Sequence, residues 1–382
     1  MNAGTAAEMT SSSDPMDDVE RMLVDSARTF FRARQQTARM KLNATQARAF
    51  DIELWREMAD MGWLGVRLPE HLGGQNLATS AAAALAEEFG AALMPEPFIA
   101  CGIIPSVLLA NIQASAALSS FADSISSGRV VTTLAWQERL GQSDATDVTT
   151  RLTANELLQG RKLFVPNCDA SDCFIVVARR ESKIVLASVS ASAAGMKREL
   201  HRTGDGTQRG QLIFNDTPID AVLAEGDAAQ TALTVALDEA TLASAAYQTG
   251  LANTVLDQIL SHLKTRIQFD RPLGTFQTLQ HRAADLFMAC QLSHASWRRA
   301  ATKWDVQPAS PTARAAISAA KARASQTALR VARSGIQMFG GLGFAEEADL
   351  GLALRIALQH CSWLGGPAQH LQRFATLSGL RS

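Results

Sequence analysis

The chain has 382 residues, enough for two or three domains and a large buried core. Its 36 Lys and Arg residues nearly balance 37 Asp and Glu residues, which gives no case for a nucleic-acid partner or an anionic membrane surface. Neither the five cysteines nor the seven histidines show the spacing of a metal site, so we expect free thiols in a reducing cytoplasm and no bound metal.

The first part of the chain is predicted to be a tail followed by helices. Residues 1–15 are polar and acidic and lack the basic start and apolar stretch of a secretion signal, so we expect a disordered tail. No run of about 18 uncharged apolar residues occurs, which argues against a membrane span. From 16 to 129, apolar residues recur at three- and four-residue spacings between loops that contain proline or glycine. This pattern predicts an N-terminal helical domain.

The pattern changes between 130 and 225 and then becomes helical again to residue 382. Short runs rich in β-branched residues, separated by polar or glycine-containing turns, predict an antiparallel barrel or sandwich. Beyond it, alanine-rich and apolar segments predict long buried helices, at 228–264, 277–303, 311–338, 346–360 and from 367. The predicted fold class is therefore α+β and mostly α, with a middle β domain between an N-terminal helical domain and a C-terminal bundle of four long helices.

The turn after the longest predicted helix carries residues suited to a flat, anionic ligand. Arg266 ends that helix, where a cation meets the negative end of the helix dipole. Phe269 follows, then a stretch of helix breakers at 270–274, and Gln277 begins the next helix. A guanidinium group suits a phosphate, and amides suit the edges of a ring. The simpler interpretation is a surface cation at a helix end.

A second stretch, Ile336 to Phe344 (IQMFGGLGF), strengthens the ligand hypothesis. With the first stretch it resembles the acyl-CoA dehydrogenase family, whose pattern is arginine-x-x-phenylalanine-glycine, a later glutamine, and then glutamine-x-x-glycine-glycine-x-glycine. Further landmarks follow in the family's order, at 55–74, 87–90, 95–97 and 160–166. The fold predicted above matches the family's architecture, and the resemblance extends over most of the chain.

The resemblance implies FAD as cofactor and α,β-desaturation of an acyl-CoA thioester, with an electron-transfer flavoprotein as the expected electron acceptor. In this family a glutamate removes the α-proton while the β-hydrogen leaves as hydride to the flavin. Members are usually tetramers in which two subunits hold each flavin. By matching position, the residues that would reach a neighbour's FAD are Arg266, Gln268, Phe269, Gln277, Gln337, Gly340 and Gly341. Glycine allows the backbone to approach a ligand closely, although a helix C-terminus followed by a loop also explains these glycines.

Two departures from the family pattern concern the chain's own chemistry. The position of the usual catalytic glutamate falls on Leu364 or Gly365, and neither can accept a proton. In the segment that lies beside the flavin ring, Phe164 can still pack there, but Pro166 lacks a hydroxyl and a backbone N–H. Ser143 matches a serine along the pantetheine path, and the simpler interpretation is a turn residue.

Glu239 is the candidate base within the chain itself. Some relatives place the base on the long helix that opens the C-terminal domain, and the matching position here is Ala240, one residue away. A helix turns by about 100° per residue, so this offset matters unless the helix shifts. The alternative is a solvated carboxylate in the first turns of a helix.

Residues expected to serve a neighbour's flavin are thus kept, and those expected to serve the chain's own chemistry are altered. In this respect the chain resembles the base-lacking subunit of bacterial α2β2 dehydrogenases that act on steroid or other bulky CoA thioesters. The leading hypothesis is such a subunit, in fatty acid or steroid catabolism, with a second acyl-CoA dehydrogenase-like subunit as partner. Three alternatives stay open: an autonomous homotetramer with Glu239 as base, a non-catalytic scaffold without flavin, and a flavin-dependent monooxygenase of the same fold.

Overall fold

The structure is a computed structural model that describes residues 18–33, 50–113, 115–344 and 349–380. The tail predicted at 1–15 lies outside these residues. The N-terminal helices are α1 (Asp18–Arg32), α2 (Ile52–Asp60), α3 (Thr79–Ala91), α4 (Ile104–Ala110) and α5 (Ala116–Ser126). Asp51 begins α2 as a cap, because its side chain accepts from the backbone N–H groups of Glu53 and Leu54.

The middle of the chain, described without gaps from 130 to 225, forms one hydrogen-bonded sheet. Its strands are β1 (Thr132–Ala135), β2 (Arg151–Leu152), β3 (Leu157–Pro166), β4 (Cys173–Arg180), β5 (Lys183–Ser190), β6 (Met196–Arg202), β7 (Gln208–Pro218) and β8 (Ala221–Glu225). The strand order is β6-β7-β3-β2-β4-β5-β8, with β1 beside β4. Both β1 and β2 run parallel to β4, so the expectation of purely antiparallel pairing was wrong. The alternation of β-rich runs and turns in a sequence indicates where strands lie, but it does not determine which strands pair.

The C-terminal part is a helical bundle. Its helices are α6 (Asp227–Thr265), α7 (Gln277–Val306), α8 (Pro311–Phe339), α9 (Leu350–Ser362) and α10 (Pro367–Leu377). The short helices α9 and α10 both pack against α8. The predicted α+β fold class is confirmed, with three long helices and two short ones in place of four long helices. Among the described residues, no helix is long and apolar enough to cross a membrane.

Small residues allow α6 to cross α3 with the two backbones in contact. A Cβ atom on Gly250 would lie 1.9 Å from the carbonyl oxygen of Glu87, and one on Gly90 would lie 1.9 Å from that of Tyr247. Any larger residue at either position would force the helices apart. This crossing joins the N-terminal helices to the bundle. The predicted domain boundaries at 129–130 and 225–226 stay a prediction.

Candidate functional site

The two motifs of the sequence meet at one end of the helical bundle. His262, in the last turn of α6, stacks on Phe339, the last residue of α8, with ring centroids 4.0 Å apart. This contact brings the turn after α6 close to the loop after α8. All seven residues predicted to reach a neighbour's flavin are exposed: Arg266, Gln268, Phe269, Gln277, Gln337, Gly340 and Gly341.

The turn after α6 is a small hairpin that presents an aromatic ring to the outside. Strands β9 (Ile267–Gln268) and β10 (Arg271–Pro272) pair in antiparallel fashion. Phe269 and Asp270 between them have φ values of 54° and 61°, as both central residues of a type I′ turn require. The ring of Phe269 is 83% exposed. The hairpin therefore leaves an apolar surface free for a ligand or another subunit.

The loop after α8 leaves space beside two of its glycines, and a bound ligand could occupy that space. A Cβ atom on Gly340 or Gly341 would meet no heavy atom of the described residues within 4 Å, whereas one on Gly343 would lie 2.5 Å from the carbonyl oxygen of Ile336. Gly340 has a φ of 61°, which favours glycine by itself. Nothing within the described chain explains glycine at 341. The open space beside Gly341 can hold part of the FAD that the family resemblance implies. A side chain at 341 would fill that space.

A cleft beside this loop is rich in arginine. Arg282 from α7 and Arg330 and Arg333 from α8 line it together with Gln337. Within the described part of the chain, part of this charge is balanced by Asp285, which lies 3.6 Å from Arg330. A guanidinium-lined cleft next to an open glycine loop is chemically suited to the phosphates of a dinucleotide.

Phe164 lies in a different place, where the sheet faces the turn after α9. It is 40% exposed and has a φ of 55°, at a register shift between β3 and β7. Together with Pro166, Trp363 and Leu364 it lines a narrow gap. This gap and the arginine-rich cleft share no lining residue. The chain thus places Phe164 in a different cleft from Gln337, as expected if the two residues serve different flavins.

A larger cleft, which we call the α6–α10 cleft, brings together three residues singled out in the sequence. Ser143, Leu364 and Gly365 line it with residues of α6 and α10. The carboxylates among its described lining residues are Asp144 and Asp238. The cleft therefore joins the predicted pantetheine contact to both candidate positions of the missing base.

The turn that carries Leu364 and Gly365 is held in a left-handed conformation, with φ values of 61° and 101°. His370 Nε2 donates to the carbonyl oxygen of Leu364 at 2.9 Å. Burial, together with the charge of Lys321, lowers the pKa of His370 to about 4, so the ring is neutral near pH 7. A Cβ atom on Gly365 would lie 2.9 Å from His370 Nε2. A glutamate at this position would have to displace the ring that holds the turn.

Glu239 lies outside this cleft in a buried ion pair. Its Oε2 accepts from Arg67 Nε at 2.7 Å, and its Oε1 accepts from Arg67 Nη2 at 2.8 Å and from Trp304 Nε1 at 3.1 Å. Only 3% of Glu239 is exposed, so the interpretation as a solvated carboxylate was wrong. The neighbouring Asp238 does line the cleft. Because consecutive residues of a helix are rotated by about 100°, the side chains of Asp238 and Glu239 point in different directions.

A second buried ion pair holds the segment that contains Ser143. Lys162 Nζ on β3 donates to Glu138 Oε1 at 2.7 Å, and Glu138 Oε1 also accepts from the backbone N–H of Thr150 at 2.9 Å. Burial raises the pKa of Glu138, but the charge and hydrogen bond of Lys162 outweigh it and lower the pKa to about 2. The pair ties the loop around Ser143 to the strand that carries Phe164. Sequence reasoning missed this pair, because nothing in the sequence relates these two residues.

We expect the contribution of Glu138 to stability to disappear in acid. Its pKa in the folded chain, about 2, lies below the ordinary value of 4.5, so the stabilisation is complete above about pH 4.5 and is lost as the pH falls towards 2. Urea unfolding of the natural chain and of Glu138→Gln between pH 7 and pH 3 tests this. The difference between their midpoints should shrink as the pH falls below about 5. Exposed Glu156→Gln is the control, and a difference independent of pH would contradict the prediction.

Comparisons with known proteins agree with this geometry. The family model for the acyl-CoA dehydrogenase N-terminal domain matches residues 17–114, and that for the C-terminal domain matches residues 230–373. The chain is 28% identical to acyl-CoA dehydrogenase FadE27 of Mycobacterium tuberculosis over 335 residues, 85% of this chain and 87% of that protein. It is 25% identical to the mitochondrial 2-methylacyl-CoA dehydrogenase of Solanum tuberosum over 359 residues, 90% and 86% of the two chains.

Solved structures share the whole fold. A variant of the Tcur3481-Tcur3483 steroid ACAD matches with a TM-score of 0.85 and 29% identity, over 95% of this chain and 98% of that one. The ChsE4-ChsE5 complex from Mycobacterium tuberculosis has a TM-score of 0.86 at 23% identity, over 96% and 99%. The FAD complex of PigA, with a TM-score of 0.88 at 20% identity over 96% and 99%, shows FAD, the cofactor predicted from the sequence, bound in this fold. The family models match both helical regions, the relatives match in sequence, and the solved structures match in fold. The chain therefore belongs to the acyl-CoA dehydrogenase family of flavoprotein oxidoreductases.

Proposed function

We propose that this chain is the base-lacking subunit of a heteromeric, FAD-dependent acyl-CoA dehydrogenase. With a second subunit of the family it desaturates a steroid side-chain thioester, or another bulky CoA thioester, between the α and β carbons. The observation that carries the proposal is that Leu364 and Gly365, the two candidates for the usual base position, line the α6–α10 cleft. Neither residue can accept a proton.

The carboxylates that do line the cleft are already engaged. Asp238 is 3% exposed and accepts from Arg314 Nε at 2.8 Å and from Arg373 Nη2. Asp144 accepts from the backbone N–H of Thr146 at 2.8 Å and from its hydroxyl at 2.7 Å. Both carboxylates are therefore held by donors of this chain rather than directed at a substrate. The proposal therefore assigns proton abstraction to the partner subunit.

The chain's own contribution is to hold the cofactor of a neighbouring subunit. Arg266 and the arginine-rich cleft are suited to the FAD pyrophosphate, and Gly341 gives it room. When bound, FAD supplies the site that accepts the hydride. The electron-transfer flavoprotein expected to reoxidise it stays a prediction.

Two relatives support a heteromer. The steroid ACAD that matches at 29% identity is named for two components, Tcur3481 and Tcur3483, and the ChsE4-ChsE5 structure is described as a complex. The first of these names is also the basis for proposing a steroid thioester here. The homotetramer with Glu239 as base is less well supported, because Arg67 and Trp304 occupy that carboxylate.

Co-purification tests the proposal. The chain is expressed alone and together with a second acyl-CoA dehydrogenase of its source, and the mass and the flavin absorbance are recorded. We expect the chain alone to be colourless or unstable, and the pair to be a yellow heterotetramer with one FAD for every two chains. A yellow homotetramer of this chain that an acyl-CoA bleaches would refute the partner requirement.

The same samples separate the two remaining alternatives. A colourless complex in every combination would favour a scaffold that binds no flavin. Stoichiometric reduction of the flavin by an acyl-CoA without oxygen would exclude a monooxygenase, because such an enzyme receives its electrons from another donor. Dehydrogenation by the yellow pair is the result that the proposal requires.

A further inference from the structure

Lys321 is a fully buried amine on α8, inside the helical bundle. Among the described residues its Nζ has two acceptors, the carbonyl oxygen of His360 at 2.5 Å and Ser325 Oγ at 3.2 Å. Neither acceptor carries a charge. Burying an ammonium group without a counter-charge is costly, so an apolar side chain of similar length would stabilise this core as well or better.

The contact with His360 caps the end of α9. His360 lies in the last turn of that helix, where the carbonyl groups lack partners within the helix. The N–H of Trp363 satisfies the carbonyl of Gln359 at 3.1 Å, whereas the carbonyl of His360 accepts from Lys321 on the neighbouring helix. An amine suits this place, because the C-terminal end of a helix carries partial negative charge.

The residues that follow this cap, 363–366, form what we call the α9–α10 turn. Leu364 in the turn has a φ of 61°, a left-handed conformation that residues with a side chain rarely adopt. Such a conformation persists where surrounding contacts hold it. His370 on α10 holds the middle of the turn through the carbonyl of Leu364, at 2.9 Å. Lys321 holds its beginning through the carbonyl of His360.

Hydrogen bonds, rather than an ion pair, fix Lys321 in its place. Burial lowers the pKa of its amine to about 7, and the group whose charge acts against this shift is the Cys361 thiol. Burial also lowers the pKa of His360 to about 3 and that of His370 to about 4, so both rings are neutral near pH 7. The neighbours from α9 and α10 thus supply oriented polar atoms and no carboxylate.

We propose that Lys321 is a positioning residue that holds the α9–α10 turn, and with it Leu364 and Gly365, in the shape that lines the α6–α10 cleft. Lys321 itself does not line this cleft, and it acts through the carbonyl of His360. Leu364 also lines the gap beside Phe164, so a displaced turn would change the walls of both. This role goes beyond the proposed function, because it does not depend on which subunit supplies the base.

Lys321→Met tests the proposal, because methionine fills a similar space and donates no hydrogen bond. Amide hydrogen exchange of the full-length protein, as the complex if the chain needs its partner, is followed by mass spectrometry at pH 7. We expect peptides that cover 363–366 to exchange about tenfold faster, since losing a hydrogen bond to a charged group shifts a local equilibrium by about that factor. The melting temperature should stay nearly unchanged or rise, because a buried charge is removed. Lys321→Arg, which keeps donors, should retain part of the protection.

Two further variants serve as controls. Ser325→Ala removes the other contact of Nζ and leaves the cap on α9, so the turn should stay protected. Thr249→Val removes a buried hydrogen bond of 2.6 Å to Ser293 between α6 and α7, and it should leave the exchange of the turn unchanged.

Three results would overturn the proposal. The first is unchanged exchange of the turn in Lys321→Met. The second is loss of folding, or faster exchange spread evenly over the chain with a lower melting temperature, since Lys321 would then support the whole core rather than the turn. The third is an equal local effect of Thr249→Val. Because no turnover is measured, these outcomes are independent of whether the partner requirement holds.

Discussion

Gly341→Val should remove most of the FAD from the assembled enzyme while leaving the chain folded. A Cβ atom at Gly341 would meet no atom of the described chain within 4 Å, so we expect the folded protein to accommodate a side chain there. The same side chain would occupy the space through which the backbone approaches the cofactor. We expect the Kd for FAD to rise at least about tenfold, a loss of about 1.4 kcal/mol or more of binding free energy.

The flavin absorbance per mole of purified complex measures this loss, and a thermal melt of the flavin-free protein checks the fold. Gly204→Val is the matched control, because Gly204 is also exposed and a Cβ there would meet only the side chain of Arg355, at 3.8 Å. It should leave the flavin content unchanged. Full occupancy in Gly341→Val would show that the loop after α8 does not contact FAD.

Glu239→Gln should destabilise the folded chain by about 3 kcal/mol, since breaking a buried ion pair leaves an uncompensated charge. Arg67 has 19% of its side chain exposed and donates twice to Glu239. Trp304, 1% exposed, donates to the same carboxylate. The variant would leave the guanidinium beside a neutral amide. Turnover by the heteromeric enzyme, measured while the protein is still folded, should change little.

A double-mutant cycle makes this test specific. Arg67→Gln should cost a similar amount, and the double variant should cost clearly less than the sum of the two, because both remove one interaction. Urea unfolding midpoints provide the free energies, and Glu156→Gln, at an exposed position, should shift them by no more than about 0.5 kcal/mol. If Glu239→Gln abolished turnover and left the stability unchanged, Glu239 would be the base and the homotetramer would replace the heteromer.

Local patterns were sufficient to predict the helices. The longest was expected at 228–264 and is α6, Asp227–Thr265. Its alanine-rich, apolar composition favours a buried helix whatever surrounds it. Most strands of the middle region were also recognisable as β-rich runs between turns, but no run was predicted at β6 or β8. The pairing of the strands was not recognisable, because β1 reaches β4 across 37 intervening residues, from Ala135 to Cys173, and no local pattern encodes such a distant partner.

The sequence by itself determined the family and the residues of its motifs, because a motif is a property of neighbouring residues and is read without knowing the fold. Through the family pattern it also predicted that the position of the usual glutamate falls on Leu364 or Gly365. Only the tertiary structure showed that Glu239 is buried in an ion pair, since its partner Arg67 lies 172 residues away in the chain. A one-residue offset on a helix leaves open which way Glu239 faces, and the structure shows that it faces the partly exposed guanidinium of Arg67.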